Sequence, residues 1–232
     1  MIVMSFNTQH CKNYLEQKID FQIMADAILR CGADIVGLNE MYDEGEAEQY
    51  VAQTRILSEL TGLKYYYFAK AIESRGRNPY GNAILSRYPI VHAETEVVVA
   101  PDYRPYPKNY ETRCLLKAQL ENGLMVLVTH FGLNPDEQQN MIDAVLHHKT
   151  DNKCILMGDF NAEPDDPVLQ PLFENFFDTA KLLPAPMLTF PSDVPYKKID
   201  YVLTTPDILV VSADVPQIIA SDHRPYIAKL DL

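Results

Sequence analysis

Glu121-Asn122-Gly123 stands between two apolar runs, Leu115 to Leu120 and Leu124 to Thr129, and a turn of this type between such runs signals a β-hairpin. A hairpin joins antiparallel strands, so a purely parallel sheet is disfavoured. Helical crossovers are written into the same chain. Residues 20–31 place Ile23, Ala27 and Cys31 on one face with Met24 and Ile28 beside them, and Gly32 supplies the stop. Asn134-Pro135-Asp136-Glu137 reads as an N-cap, a proline at the first helical position and a glutamate placed for a capping box, which predicts a helix to about Lys149. A third helix is expected over about 46–61, ending at Gly62, and a short one after Asp166-Pro167.

Strand character covers Ile2 to Asn7, Asp34 to Glu40, Tyr65 to Ala71, Asn82 to Ser86, Ile90 to Ala100, Cys154 to Asp159, Ile199 to Leu203, Leu209 to Ser212 and Tyr226 to Leu230. Ser74 to Tyr80 and Arg87 to Pro89 are turn-prone. Hairpins mixed with crossovers favour two packed sheets covered by helices. No internal repeat, linker or low-complexity segment interrupts the pattern, and 232 residues suit one domain.

The apolar strand-like runs end repeatedly in polar residues. Asn7, Glu40, His130, Asp159, Asn161, Asp200 and the pair Asp222-His223 each follow or close such a run. Asp159 and Asn161 are two apart, so on an extended strand they face the same way, a carboxylate and an amide able to orient one water and one phosphate or carbonyl oxygen. Each residue taken alone also has an ordinary reading. Asp159 and Asn161 are favoured turn residues, Glu40 serves as a solvated strand end, His130 as a hydrogen-bonded core histidine and Asp200 as a turn residue.

Asn7 and Glu40 are oxygen ligands of the kind that hold Mg²⁺ or Mn²⁺. Zinc is disfavoured, because no H-E-x-x-H helix occurs and Cys11, Cys31, Cys114 and Cys154 form no close pair. His147 and His148, adjacent on a helix, cannot grip one ion together and read as solvated residues near its C-terminus. Ser221-Asp222-His223 is no serine-hydrolase triad, since three consecutive residues cannot readily form that relay and no G-x-S-x-G elbow is present.

Several blocks together resemble the endonuclease/exonuclease/phosphatase superfamily. They are residues 1–7, Ile35-Val36-Gly37-Leu38-Asn39-Glu40, Gly81-Asn82-Ala83-Ile84-Leu85-Ser86-Arg87, Thr129-His130, Gly158-Asp159-Phe160-Asn161, Ile199-Asp200-Tyr201 and Ser221-Asp222-His223, in that order over essentially the whole chain. The resemblance implies an α/β (α+β) fold, the four-layer αββα sandwich of deoxyribonuclease-I-like proteins, with two mixed, mainly antiparallel sheets face to face and helices outside. It implies Glu40 as the principal Mg²⁺ ligand, with Asn7 and Asp222 in or near the metal shell. Asp159 would orient or deprotonate the attacking water, and Asn161 would donate to a phosphoryl oxygen. His223 would be held against a carboxylate, Asp200, while His130 would bind the phosphate or protonate a leaving oxygen. Whether Asp159 or His223 is the base stays open.

Substrate choice is expected in the loops. Pro101 to Arg113 is rich in tyrosine, proline and base, and serves either as a wall of the site or as a stiff surface loop. Arg113 is the cation of that loop expected to face the site, and Asn82 is the second expected substrate contact, following Arg75 and Arg77 in another basic loop. Lys197 and Lys198 precede Asp200, and convergence of these cations would focus an anionic substrate.

The net charge of −12, from 20 basic and 32 acidic residues, disfavours bulk duplex DNA and anionic membranes as partners without excluding them. The expectation is a divalent-metal-dependent phosphoesterase, a phosphodiesterase on a small or lipid-derived phosphate ester. A nuclease or phosphomonoesterase of the same fold is the alternative, and a non-catalytic phosphate-binding module is the alternative of another class. No apolar run reaches the roughly 18 residues of a membrane span, and the N-terminus has no signal-peptide pattern, so a cytoplasmic location is expected.

Overall fold

Apolar residues in the central strands run almost without interruption, and alternate ones serve different layers. In β1 (Ile2–Asn7) Val3 faces one core and Met4 and Phe6 another, while in β8 (Cys154–Asp159) Ile155 and Met157 point opposite to Cys154 and Leu156. Strands buried on both faces require cover on both. The computed structural model, which describes residues 1–46, 50–74, 76–183 and 187–232, supplies that cover as a four-layer sandwich.

The chain runs β1, α1 (Phe21–Cys31), β2 (Ile35–Tyr42), α2 (Gln53–Thr61), β3 (Tyr65–Ser74), β4 (Asn78–Ser86), β5 (Ile90–Val98), β6 (Arg113–Leu120), β7 (Met125–His130), α3 (Pro135–His148), β8, α4 (Gln170–Asn175), β9 (Phe177–Asp178), β10 (Asp200–Thr204), β11 (Leu209–Asp214) and β12 (Tyr226–Asp231). One sheet has the order β11-β12-β1-β2-β4-β3 and the other β5-β6-β7-β8-β10-β9. Each contains one parallel pair, β1 with β2 and β7 with β8, and the remaining pairs are antiparallel. The two sheets therefore share one pattern of parallel and antiparallel pairing, although no sequence repeat announces it.

Val3, Ile35, Ile84, Leu116, Val128, Ile155, Met157 and Val202 fill the space between the sheets. Met24, Ile28 and Leu57 of α1 and α2 cover the outer face of the first sheet through Met4, Phe6 and Leu38, and Ile142, Val145 and Leu172 of α3 and α4 cover Leu127, Leu156 and Leu203 of the second. Asp20 caps α1 by accepting from the backbone N–H groups of Gln22 and Ile23, and Gly32 ends it in the left-handed conformation.

The expected helix over 46–61 is shorter among the described residues. It begins at Gln53, whose side chain accepts from Tyr42 N and donates to His10 O, while residues 47–49 lie outside the described set. β3 and β4 run further than expected, because β4 takes up Asn78 to Tyr80 of the turn-prone stretch; Arg75 lies outside the described residues. The two-residue β9 was not foreseen. His148 departs from the solvated role expected of it, since it packs half-buried against Lys117 and Glu96 on the outer face.

Candidate active site

β1 and β2, like β7 and β8, are parallel neighbours, so their C-terminal ends open together. Asn7 stands beside Asn39 in register and His130 beside Asp159, while antiparallel β10 sets Asp200 directly against Asp159. Asn39 locks the two sheets at this mouth. Its Nδ2 donates to Thr129 O at 2.8 Å and to Asn82 Oδ1 at 2.9 Å, and its Oδ1 accepts from Asp159 N at 3.0 Å. Sequence reading gave Asn39 no role, because its partners lie 90 and 120 positions away in the chain.

Gly158 brings Asp159 into place. A Cβ on Gly158 would lie 1.8 Å from Thr129 O, and the residue holds φ +148, so only glycine lets β8 approach β7 here. Beyond Asp159, Phe160 is stacked between Phe131 at 4.5 Å and Tyr201 at 4.6 Å. With Phe160 pinned, Asn161 takes φ +49 and turns back over the strand end. Its Nδ2 lies 3.1 Å from both Phe131 O and His130 Nε2.

Asp159 is the hub. Its Oδ1 accepts from Asn161 N at 2.9 Å, and its Oδ2 accepts from Asn7 Nδ2 at 3.1 Å and faces His130 Nε2 at 3.5 Å and His223 Nε2 at 3.6 Å. His223 Nδ1 meets Asp200 Oδ2 at 2.8 Å. Burial, reinforced by Asp200 against the pull of His223, pushes the Asp159 carboxyl up to about 7. Burial opposes charge on His223, but the Asp200 and Asp159 carboxylates outweigh it and hold the imidazole at about 10. His223 therefore carries a proton on each nitrogen at neutral pH.

His130 is the contrast. Burial, then the Arg113 guanidinium and His223, push it well below the ordinary imidazole value, so it is neutral. Arg113 Nη1 lies 3.3 Å from His130 Nδ1, and a guanidinium only donates. A neutral ring accepts at one nitrogen, so Arg113 and Asn161 together offer one donor more than His130 can satisfy. Arg113 Nε is also buried without a partner. This surplus of N–H groups suits an anionic oxygen.

Glu40 and Asp222 face the same cleft, a hollow of about 450 Å³ also lined by Lys108, Arg113, His130, Leu133, Asp159, Asn161, Phe190, Lys197, Ile199 and His223. Burial and, after the opposing effect of His223, the nearby Glu40 charge raise the Asp222 carboxyl. Two oxygen-donor carboxylates with mutual repulsion fit a hard cation between them. Asn7 stands beside Glu40: its Nδ2 donates to Glu40 Oε1 at 3.1 Å and so braces the carboxylate, while its Oδ1 accepts from Gln9 N at 3.1 Å. Asp159, Asp200 and His223 also place donor atoms within 4.8 Å of one another, with His223 Nδ1 turned to Asp200 and Nε2 toward Asp159.

Asn82 sits under the floor. It is 2% exposed, with Oδ1 taken by Asn39 and Nδ2 donated to Cys114 O, so its side chain is spent on the scaffold and does not reach the cleft as expected. Lys197 lines the cleft while Lys198 turns inward to Asp178 at 3.4 Å. The tyrosine-rich loop does serve as a wall, through Lys108 and the neighbouring Arg113. A larger hollow of about 600 Å³, lined by Phe173, Leu182 and Val210 among others, contains none of the site residues.

A model of the Endonuclease/Exonuclease/phosphatase family matches residues 4–223. A search of curated proteins finds no match. Among solved structures, an endonuclease/exonuclease/phosphatase from Beutenbergia cavernae DSM 12333 is 22% identical with a TM-score of 0.79, over all of this chain and 71% of that one. A mannosyl-6-phosphatase from Bacteroides thetaiotaomicron VPI-5482 is 15% identical with a TM-score of 0.75 over the whole of both chains. The human Nocturnin catalytic domain with bound sulfate anion is 20% identical with a TM-score of 0.69, over all of this chain and 94% of that one. With the family pattern running from β1 to His223 and the same sandwich in these neighbours, the chain belongs to the Endonuclease/Exonuclease/phosphatase family.

Proposed function

We propose that this protein is a Mg²⁺-dependent phosphodiesterase acting on a small or lipid-derived phosphate ester, with Mn²⁺ as a substitute metal. The observation that carries the reading is geometric: Asp159 Oδ2 faces His223 Nε2 at 3.6 Å and His130 Nε2 at 3.5 Å, with His223 held by Asp200 at 2.8 Å and Arg113 beside His130. Glu40 and Asp222, with Asn7 bracing Glu40, would hold the cation, which neutralises charge developing on phosphoryl oxygens.

The chain's own groups divide the remaining work. Arg113 and Asn161 donate to non-bridging oxygens and fix the phosphorus above the strand ends. Asp159 Oδ2, with a pKa of about 7, takes the proton of the attacking water. As the water oxygen bonds to phosphorus the ester P–O bond breaks, and the leaving oxygen takes its proton from His223 Nε2, whose ring Asp200 holds through Nδ1. His130 presents its neutral ring to the phosphate.

The rim supports a small substrate. Next to the cleft, and sharing Lys108, Asn161, Lys197 and Ile199 with it, lies a second hollow of about 360 Å³ walled by Glu163, Asp165 and Asp166. A polynucleotide crossing the site would bring further phosphates against these carboxylates. A small ester avoids that repulsion. Four buried, unpaired thiols suit a reducing, cytoplasmic setting; among the described residues no helix is long and apolar enough to cross a membrane.

A panel of mono- and diesters, including nucleic acid, lipid and inositol phosphates, assayed with Mg²⁺ and Mn²⁺, tests the reading. Diester turnover lost in EDTA and restored by Mg²⁺ is expected. Rapid plasmid nicking, abolished in Asp159→Ala, would make the protein a nuclease. Turnover of monoesters alone would make it a phosphatase, as the mannosyl-6-phosphatase neighbour is by name. No turnover of any ester would leave a phosphate-binding module.

A further inference from the structure

The chain leaves β1 through three successive residues in the left-handed region, Gln9 at φ +45, His10 at φ +60 and Cys11 at φ +59. None is a glycine, and a side chain in that region crowds its own backbone. Glu40, across the cleft floor, holds φ +58 as well. Strain of this kind persists where surrounding contacts over-determine it, and it gathers at functional sites.

The contacts centre on His10. Its backbone N–H donates to Glu40 O at 2.9 Å, and its ring Nδ1 reaches the same oxygen at 3.1 Å. The ring is stacked on Tyr42 at 4.5 Å and meets Tyr80 edge-on at 5.5 Å, and Gln53 Nε2 holds His10 O at 3.0 Å. The left-handed turn thus delivers one imidazole, in one orientation, to the residue with the best claim to a cation.

A carbonyl oxygen only accepts, so Nδ1 carries the proton and the lone pair of the neutral ring is on Nε2. That nitrogen lies 3.8 Å from Glu40 Oε2, while the Asn7 donor sits on the other oxygen, Oε1. Two electron-pair donors face each other. Two donors on one such cation lie no more than about 4.2 Å apart, twice a bond of about 2.1 Å, and the gap falls inside that reach, with a small side-chain adjustment bringing both to the ion. An imidazole whose other nitrogen is anchored to a backbone carbonyl is the usual arrangement of a metal-bound histidine. The ring also remains reachable, with 29% of its side chain exposed.

We propose that His10 Nε2 is a nitrogen ligand to a divalent cation held by Glu40 Oε2, and that this donor gives the site a higher affinity for Mn²⁺ and its transition-metal neighbours than its oxygen ligands alone would give, leaving Mg²⁺ binding to the oxygens. Imidazole favours those ions, whereas Mg²⁺ is served by oxygen. The inference rests on Glu40 being a metal ligand, as in the proposed phosphoesterase. It does not require the substrate to be known.

The test uses the full chain with Mn²⁺ alone and no substrate. Electron spin-echo modulation of the bound Mn²⁺ should show a directly bound histidine nitrogen in the wild type, and His10→Phe, which keeps a ring against Tyr42, should lose it. Calorimetry should show Mn²⁺ affinity falling about tenfold or more in His10→Phe and in His10→Gln, with Mg²⁺ affinity nearly unchanged. Absence of nitrogen modulation in the wild type would overturn the assignment without any variant, which covers the case of variants that fail to fold. Modulation that survives in His10→Phe, or equal loss of both metals, would overturn it too. Nitrogen-coupled Mn²⁺ without turnover of any ester would sink the proposed function and leave this ligand standing, while turnover without nitrogen coupling would do the reverse.

Discussion

Asp159, the proposed base, carries a cost in stability as well. Its carboxyl is raised from the ordinary carboxylate value to about 7 in the folded protein, chiefly by burial, so between about pH 4 and 7 the folded state binds more protons at this site than the unfolded state. Stability contributed there is present at low pH and lost as pH rises through 7. Replacing the carboxylate by an amide of the same shape removes the loss. Asp159→Asn should therefore abolish hydrolysis yet raise Tm above pH 7, with the gain shrinking toward pH 4, as calorimetry in EDTA would read. A variant that loses Tm at every pH would mean that Asp159 is a structural acceptor for Asn7 and Asn161 first. Much of this site was legible from strand ends: Asp159, His130, His223 and Asp200 each close or follow an apolar run, and the structure brings them together. His10 and Asn39 were not legible. A left-handed turn in Gln9-His10-Cys11 has no compositional mark, and Asn39 matters only through bonds to the other sheet.

Two elements set how well those residues are held. β8 approaches β7 through Gly158, where a Cβ would lie 1.8 Å from Thr129 O. Gly158→Ala should separate the parallel pair just before Asp159 and cost about 3 kcal/mol or more in denaturant unfolding, with activity falling below what the remaining folded fraction explains. The second element is α3, whose first turn docks the tyrosine-rich wall. Glu137 accepts from Asn134 N at 3.2 Å and from Glu111 N at 2.8 Å, Asn134 Nδ2 donates to Lys108 O at 3.2 Å, and Tyr110 OH donates to Asp136 at 2.9 Å. The capping box was readable in Asn134-Pro135-Asp136-Glu137, but its second service, tying a loop 26 positions earlier in the chain to the helix, was not. Glu137→Ala should cost about 1–2 kcal/mol and raise KM more than it lowers kcat, because it loosens Lys108 and Glu111 beside Arg113 while leaving Asp159 and His223 in place. A fall in kcat with KM unchanged would instead tie α3 to the chemical step.

At the scale of the molecule, the charge balance and the cleft oppose each other. The chain carries −12 overall, which repels an anionic ester at long range, whereas Arg113, Lys108 and Lys197 line the hollow proposed to hold the ester. Screening decides between them by distance. At about 0.15 M salt the Debye length is about 8 Å, so charges scattered over the surface are damped more than cations within a few ångströms of the phosphate. Association from bulk samples both fields, and focusing by a low-dielectric cleft favours the local one. For a small anionic ester, kcat/KM should therefore fall as NaCl rises from about 20 to 200 mM, and the Lys108→Ala/Lys197→Ala double variant should flatten that dependence while keeping kcat. A rise with salt in the wild type would show the net charge to be the governing field. The sandwich makes the outcome one of placement: Lys108 comes from the wall between β5 and β6 and Lys197 from the segment before β10, so two loops of the same sheet bring positive charge to the strand ends of a protein that is otherwise acidic.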